Sequence, residues 1–367
     1  KRIVIDYTSD DEFEEIKMKV NNLKDLINLC KYSIEIIGKN NISNSIVDKS
    51  VACSSEQEVK NILNKNKDLY FLDPFNNISV VNKNDINNII KNEKNNKEKN
   101  KEIISHYEFN GKKYNINLKI LSKLLESLNK LNNLIGLTNL KNSIVEQIIY
   151  YIQNFEINND NMLHTTIEGP PGVGKTEVGK ILAEIFSKME IIPTNKFKIV
   201  KRTDLIGEYL GHTAHKTQKV IDEANGGVLF IDEAYSLGSF DKKDNYAKEC
   251  IDTLNQNLSE NKNKIICIIA GYPDQLDKCF FSYNPGLARR FPFRHKIESY
   301  SFSELKNIFI NMVDKIGWNY KIKKNDLLNF FKQNYKEFPN FAGDVENLVM
   351  NCKYSHSKRI LLLHPKN

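Results

Sequence analysis

Apolar residues recur along this chain in two rhythms, one of three and four residues and one of short unbroken runs. His164 to Glu168, Phe197 to Lys201, Val228 to Ile231 and Ile265 to Ala270 are short and rich in β-branched residues, as buried strands are. Helical spacing separates them, so the pattern predicts a parallel sheet covered on both faces. Val178, Ile181, Leu182, Ile185 and Phe186 mark one such helix, and Ile144, Ile148, Ile149, Ile152 and Phe155 mark another ahead of the first run. From Ser303 onward the strand signal stops. Leu305, Ile308, Phe309 and Met312, then Leu327, Leu328 and Phe331, then Val345, Leu348, Val349 and Cys352 predict three or four packed helices.

The first 130 residues read differently. Arg2 to Asp6 predict a short strand, and Ser9 to Glu12 have capping-box spacing. Phe13, Ile16, Val20, Leu23, Ile27 and Cys30 would share one face of the helix that follows. The pattern weakens from Gly38 to about Leu63, and Leu69 to Val81 reads as extended with a turn at Asp73-Pro74. Lys91 to Glu102, a run of Lys, Glu and Asn, reads as a linker. Tyr107 and Phe109 alternate up to Asn110-Gly111, and Tyr114 and Ile116 alternate after it. That is a hairpin with a type I′ turn. Leu118, Leu121, Leu124, Leu125 and Leu128 then mark a helix. We therefore divide the chain into a small mixed α+β domain over 1–102, a hairpin and connecting helix over 103–130, an α/β domain over 131–299 and an α-helical lid over 300–367.

Composition narrows the class. The chain has 367 residues, 40% hydrophobic and 27% charged, enough to bury a sizeable core. Its net charge of +7 is that of a solvated surface and compatible with an acidic partner. Six cysteines are scattered without a C-x-x-C pair, which argues against a zinc site or a secreted disulfide framework and for a reducing, cytoplasmic setting. His212 and His215 lie close together but lack a second ligand pair, so a surface loop is the reading. No apolar run reaches the length of a membrane span. The chain begins at Lys1 without a methionine, as one lacking its true N-terminus would.

Two stretches carry chemistry. Gly169-Pro170-Pro171-Gly172-Val173-Gly174-Lys175-Thr176 has the spacing G-x-x-x-x-G-K-T between a strand and a helix. Glycines let the backbone curl so that N–H groups converge on a triphosphate. Lys175 supplies a charge for the β- and γ-phosphates, and the Thr176 hydroxyl is a ligand for Mg²⁺. The helix N-terminus adds its partial positive charge. The second stretch, Gly226 to Tyr235, is an apolar strand ending in Asp232 and Glu233. Adjacent acids at the end of a buried strand are costly unless a cation is near. Asp232 suits the metal shell, and Glu233 suits polarising a water.

Together these motifs resemble the AAA+ ATPases, and more narrowly the CbxX/CfqX group that includes red-type rubisco activase and SpoVK. The resemblance runs from Leu134 to about Leu305 and includes Asp204 to Thr217, Ile251 to Leu254, Ala270-Gly271-Tyr272 and Asn284 to Phe291. Members from giant DNA viruses are similar, and the Asn- and Lys-rich composition fits an AT-rich genome. For such a member the cytoplasm would be the host's. The resemblance implies ATP and Mg²⁺ held by Ile135, Gly136, Pro170, Pro171, Gly172, Val173, Gly174, Lys175, Thr176 and Glu177, with Thr176 and Asp232 at the metal. It implies catalysis by Lys175, Glu233 and Arg290, the last reaching into a neighbouring subunit, with Arg289 as its rival. Tyr209 matches an aromatic pore-loop residue that grips a threaded polypeptide. The implied assembly is a ring, most simply a hexamer, acting on a protein substrate. A nucleic-acid loader and an ATP-gated scaffold are the alternatives. Two departures stand out. Gly271-Tyr272 stands where many AAA proteins carry a polar Asn or Thr at the end of the fourth strand, as it does in the CbxX-like group, and Gly343 and Glu346 stand where the lid usually has arginine.

Overall fold

The computed structural model describes residues 16–41, 69–72, 78–81, 107–109, 112–114, 116–152, 164–209, 211–261, 264–284 and 286–361. The sequence expectations for 2–6, 9–12, 91–102 and Phe155 lie outside them. The chain divides into two compact units, one of residues 1–13 and 35–114, the other of 14–34 and 115–367.

In the first unit, β1 (Leu69–Leu72) pairs antiparallel with β2 (Ile78–Val81). Strand β3 (Tyr107–Phe109) pairs with β4 (Lys112–Tyr114), Phe109 opposite Lys112. A two-residue connection in that register is what Asn110-Gly111 predicts.

Helix α1 (Leu23–Asn41) corrects one expectation: it starts at Leu23, and Ile16 and Val20 precede it. Its start signal is Asn21-Asn22. Asn22 Oδ1 accepts the Lys24 and Asp25 N–H groups at 2.9 and 3.2 Å, and Asp25 Oδ2 accepts the Asn21 N–H at 3.0 Å. Those bonds satisfy N–H groups that an opening turn otherwise leaves without partners.

The second unit is built on five parallel strands in the order β6-β7-β8-β5-β9. These are β5 (Thr165–Glu168), β6 (Phe197–Val200), β7 (Val228–Ile231), β8 (Ile266–Gly271) and β9 (Phe293–Lys296). Four follow the hydrophobic runs; β9 is an addition to them. It is an edge strand, so only alternate residues are inward. His295 is buried between exposed Arg294 and Lys296, which makes the segment read as polar. His295 fastens it to α3 (Thr138–Ile152): Nε2 meets Gln147 Oε1 at 2.7 Å and Nδ1 meets Ser143 Oγ at 2.9 Å. Burial holds this imidazole neutral, its pKa pushed down to about 4.

Both faces of the sheet are covered. Leu229 and Ile231 of β7, with Cys267 and Ile269 of β8, join a core with Val220 and Ile221 of α6 (His212–Glu223) and Ile251 and Leu254 of α7 (Asn245–Glu260). Phe230, between them in sequence, points the other way and lies against Gly179 of α4 (Lys175–Lys188). Helix α2 (Leu118–Asn133), capped by Asn117 Oδ1, buries Leu118, Leu121, Leu124, Leu128 and Leu131. Lys130 to Glu184 at 3.0 Å and Lys188 to Glu126 at 3.1 Å link it to α4.

The short helices α5 (Arg202–Leu205) and α8 (Pro273–Cys279) follow β6 and β8. Three helices close the chain: α9 (Phe302–Lys315), α10 (Lys324–Gln333) and α11 (Ala342–Ile360). Their core is Leu305, Ile308, Phe309, Val313, Leu327, Phe331, Val345 and Val349. Cys352, expected on that stripe, is exposed, because the stripe of α11 ends at Val349.

Candidate nucleotide site

Strand β5 delivers its C-terminus to the glycine-rich loop, and Gly169 N–H bonds the Gly271 carbonyl at 3.1 Å, tying the loop to β8. Gly172 and Gly174 take φ of +67° and +84°, which curl the backbone before α4 begins at Lys175. Thr176 lies half-buried in the first turn, and Val173 is buried with its carbonyl accepting the Tyr300 hydroxyl at 3.2 Å. Glu177 is exposed and faces Lys180 at 3.7 Å. Lys175 folds back over its own loop, donating to the Gly169 and Pro170 carbonyls at 3.0 and 2.7 Å.

Strand β7 delivers the acids to the same place. Asp232 N–H bonds the Val200 carbonyl at 2.9 Å, and Glu233 follows with φ 52° and ψ 47°, the left-handed region that disfavours side chains. Burial lowers the Lys175 pKa, while the charges of Asp232 and Glu233 push it back up. The ammonium and both carboxylates therefore share one electrostatic neighbourhood. Tyr235 has its pKa pushed up to about 12 by burial and then by Glu233. The Asp232 carboxylate accepts no hydrogen bond from the described residues.

These groups fit a metal–triphosphate. The curled backbone and ammonium are donors for phosphate oxygens, and the Thr176 hydroxyl and Asp232 carboxylate are hard oxygen ligands suited to Mg²⁺. Ile135 and Gly136 sit in the turn between α2 and α3, held by Lys141, which donates to the Leu134 carbonyl at 2.5 Å. Gly136 lies against the Glu304 carboxylate of α9. Beside that turn is a cavity of about 100 Å³ lined by Leu137, Asn139, Lys296, Glu298, Tyr300 and Glu304.

Several participants were missed in the sequence. Tyr272 places its ring 5.2 Å from Lys175 Nζ and 5.3 Å from the Tyr235 ring, so the aromatic departure forms one wall beside the ammonium. Glu168 is buried under the loop, its Oε1 held by Arg294 Nε at 2.5 Å. A carboxylate at the end of the short β-branched strand that enters the loop was the available signal. The lid meets the loop through backbone: Ala342 N–H donates to the Gly172 carbonyl at 3.2 Å. Glu346 is exposed.

Three predicted residues make no hydrogen bond to the Lys175 group among the described residues. Arg290 is engaged within its own chain, Nε donating to the Asn255 carbonyl at 3.1 Å and Ser259 Oγ at 2.7 Å, Nη1 to the Gly286 carbonyl at 2.6 Å. Arg289 is exposed. Tyr209 is 66% exposed, its ring edge-on to His212 at 5.6 Å.

Comparison with known proteins shows the family. Residues 165–291 match the ATPase family associated with various cellular activities (AAA). The putative cfxQ-like protein R730 of Acanthamoeba polyphaga mimivirus is 48% identical over 248 residues, 67% of this chain and 61% of that protein. Stage V sporulation protein K of Bacillus subtilis (strain 168) is 36% identical over 198 residues, 52% of this chain and 61% of that one. The chloroplastic ribulose bisphosphate carboxylase/oxygenase activase of Cyanidioschyzon merolae is 33% identical over 248 residues, 65% of this chain and 84% of the relative. The chain thus spans 61% of the length of the first two relatives. Among solved structures, the FIGL-1 AAA domain in complex with ADP aligns with a TM-score of 0.40 at 18% identity, covering 55% of this chain and 65% of that one. The chain belongs to the CbxX/CfxQ group of the AAA ATPase family.

Proposed function

We propose that this protein hydrolyses ATP with Mg²⁺ and uses the cycle to remodel a protein substrate from within a ring of identical subunits. One observation carries the reading: Lys175, Asp232 and Glu233 converge on a backbone loop curled by two left-handed glycines. Bound at Thr176 and Asp232, the metal ion would neutralise charge on the phosphates. Lys175 would leave the Gly169 and Pro170 carbonyls for the β- and γ-phosphates. Glu233, aimed by its left-handed backbone, would orient the attacking water and take its proton. Ile135, Gly136, Pro170, Pro171, Val173 and Glu177 complete the assigned nucleotide shell, with Ile135 and Gly136 on the lid side.

Arg290 is assigned to the neighbour's γ-phosphate, where an always-charged fork is worth roughly 10³–10⁵ in rate. Its intrachain bonds employ Nε and Nη1, which supports a rigidly presented Nη2 as the reaching atom. Tyr209, exposed on its loop, is assigned to gripping substrate. A relative named an activase of a carboxylase takes, by that name, a protein as its target, and the class of target is carried over here.

Complementation tests the reading. Arg290→Ala and Glu233→Gln proteins should each be inactive, yet equal mixing should restore about a quarter of wild-type ATPase, because a heterologous ring pairs an intact acid with an intact neighbouring arginine in that fraction of sites. No recovery on mixing would refute the role in trans. An Arg290→Ala protein that alone hydrolyses at the wild-type rate would remove Arg290 from the mechanism.

A further inference from the structure

The Arg290 guanidinium is held on two sides. Its Nε–H is shared between the Asn255 carbonyl at 3.1 Å and Ser259 Oγ at 2.7 Å, and Nη1 donates to the Gly286 carbonyl at 2.6 Å. Nη2 makes no hydrogen bond among the described residues. Two of the three acceptors are backbone, which any sequence would supply. Ser259 is the one contributed by a side chain. Its hydroxyl is already oriented, because Oγ–H donates to the Asn255 carbonyl one turn back along α7 at 2.9 Å. With that proton engaged, the lone pairs of Oγ are what the Nε–H meets.

The platform under this serine is itself fixed. Asn255 and Ser259 lie in the last turns of α7, whose carbonyl end attracts a cation. Buried His164, at the foot of β5, pins the same turn: Nε2 donates to the Leu258 carbonyl at 3.3 Å, and Nδ1 accepts the Cys267 N–H of β8 at 3.0 Å. On the other side, Asn284 Oδ1 accepts the Gly286 N–H at 2.9 Å, and the Leu287 N–H meets the Asn284 carbonyl at 2.9 Å. That turn holds the Gly286 carbonyl to the guanidinium, and a Cβ at Gly286 would lie 3.0 Å from Nη1. Phe291, next in the chain, is buried against Phe280 and Phe281. Arg289, by contrast, is exposed.

We propose that Ser259 is a positioning residue for hydrolysis in the neighbouring subunit: its hydroxyl sets the plane of the Arg290 guanidinium so that Nη2 is presented to the neighbour's γ-phosphate. The inference rests on the assignment of Arg290 in trans and adds the side chain that aims it. A neutral oxygen suits this task better than a carboxylate. Asp or Glu at the position would pair with the charge that the phosphate has to meet, whereas a hydroxyl orients the fork without neutralising it. Ser259 acts through Arg290 alone, so its loss is felt in the neighbour's site and not in its own. One hydrogen bond to a charged group, and the misplacement that follows its loss, are together worth roughly tenfold in rate.

Steady-state ATPase of the full chain tests this. Ser259→Ala should lower kcat about tenfold and leave KM for ATP within about twofold, the split of an interaction made in the transition state. Ser259→Thr keeps the hydroxyl and should stay within about threefold of wild type. The deciding readout is mixing with Glu233→Gln subunits, which are inactive but carry Ser259 and Arg290 intact. At constant total protein, equal mixing should raise Ser259→Ala activity from about a tenth to about a quarter of the wild-type rate, since a quarter of the sites then join a working acid to a well-aimed arginine. A defect confined to the subunit's own fold or site would instead fall by about half on mixing, and that would overturn the inference. So would wild-type turnover by Ser259→Ala. Should that variant not fold, Ser259→Cys, which keeps the shape and loses the strong acceptor, takes its place with the same two outcomes. Recovery in the Arg290→Ala and Glu233→Gln mixture but not in this one would remove Ser259 and leave the arginine in trans standing; recovery in neither would sink both.

Discussion

The turn after β5 and the turn after β7 solve opposite problems with the same backbone conformation. In the first, Gly172 and Gly174 take positive φ so that the main chain becomes the ligand, and no side chain intrudes. In the second, Glu233 is forced into that region although it has a Cβ, at a cost of about 1–2 kcal/mol. On the proposed mechanism, glycine removes strain where the backbone recognises, and strain is kept where the side chain reacts because it would set the direction of the carboxylate. The two turns also differ in backing. Strand β5 and its edge neighbour β9 are secured by buried, neutral His164 and His295, whereas β7 is backed by apolar residues alone.

That contrast can be broken in order of effect. Burial pushes both histidine pKa values down to about 4 from 6.5, so the unfolded chain binds more protons than the folded one between those values. Stability should be flat above about pH 6.5 and fall on acidification by about 1.4 kcal/mol per pH unit for each histidine. Denaturant melts across that range, with His295→Gln for comparison, check this; a slope unchanged by that substitution would detach His295 from the effect.

A set of single substitutions then compares the turns directly. Gly172→Ala would drive a methyl into the Asn340 carbonyl of the lid and should cost more than about 2 kcal/mol. Gly174→Ala meets no atom within 4 Å, so only conformation is charged, about 1 kcal/mol. Glu233→Gly should stabilise the protein by about 0.5–1 kcal/mol while removing hydrolysis, the signature of strain retained for function. Were the two alanine variants equally unstable, the lid contact at Gly172 would carry no weight.

Much of this was legible in the sequence because it repeats local rules. Buried strands β7 and β8 announced themselves as apolar runs and β5 as a short β-branched one, and the loop and acid pair stood at the ends of β5 and β7. What was not legible depends on partners distant in the chain. Strand β9 hides behind Arg294 and Lys296, since an edge strand buries only alternate residues. Helix α1 begins at an Asn-Asn start that competes with the better-looking Ser9 to Glu12 box. Tyr272 joins Lys175, and Arg294 joins Glu168, only once β8 and β9 flank β5.

The most direct test of the central claim is to follow ATP on Glu233→Gln protein in a single experiment, binding and turnover together. The account predicts that nucleotide is retained with wild-type affinity while hydrolysis falls at least about 100-fold, since the lost carboxylate orients water and not phosphate. Turnover at the wild-type rate would contradict it, and so would loss of ATP binding, because either would place the chemistry outside the junction of Lys175, Asp232 and Glu233.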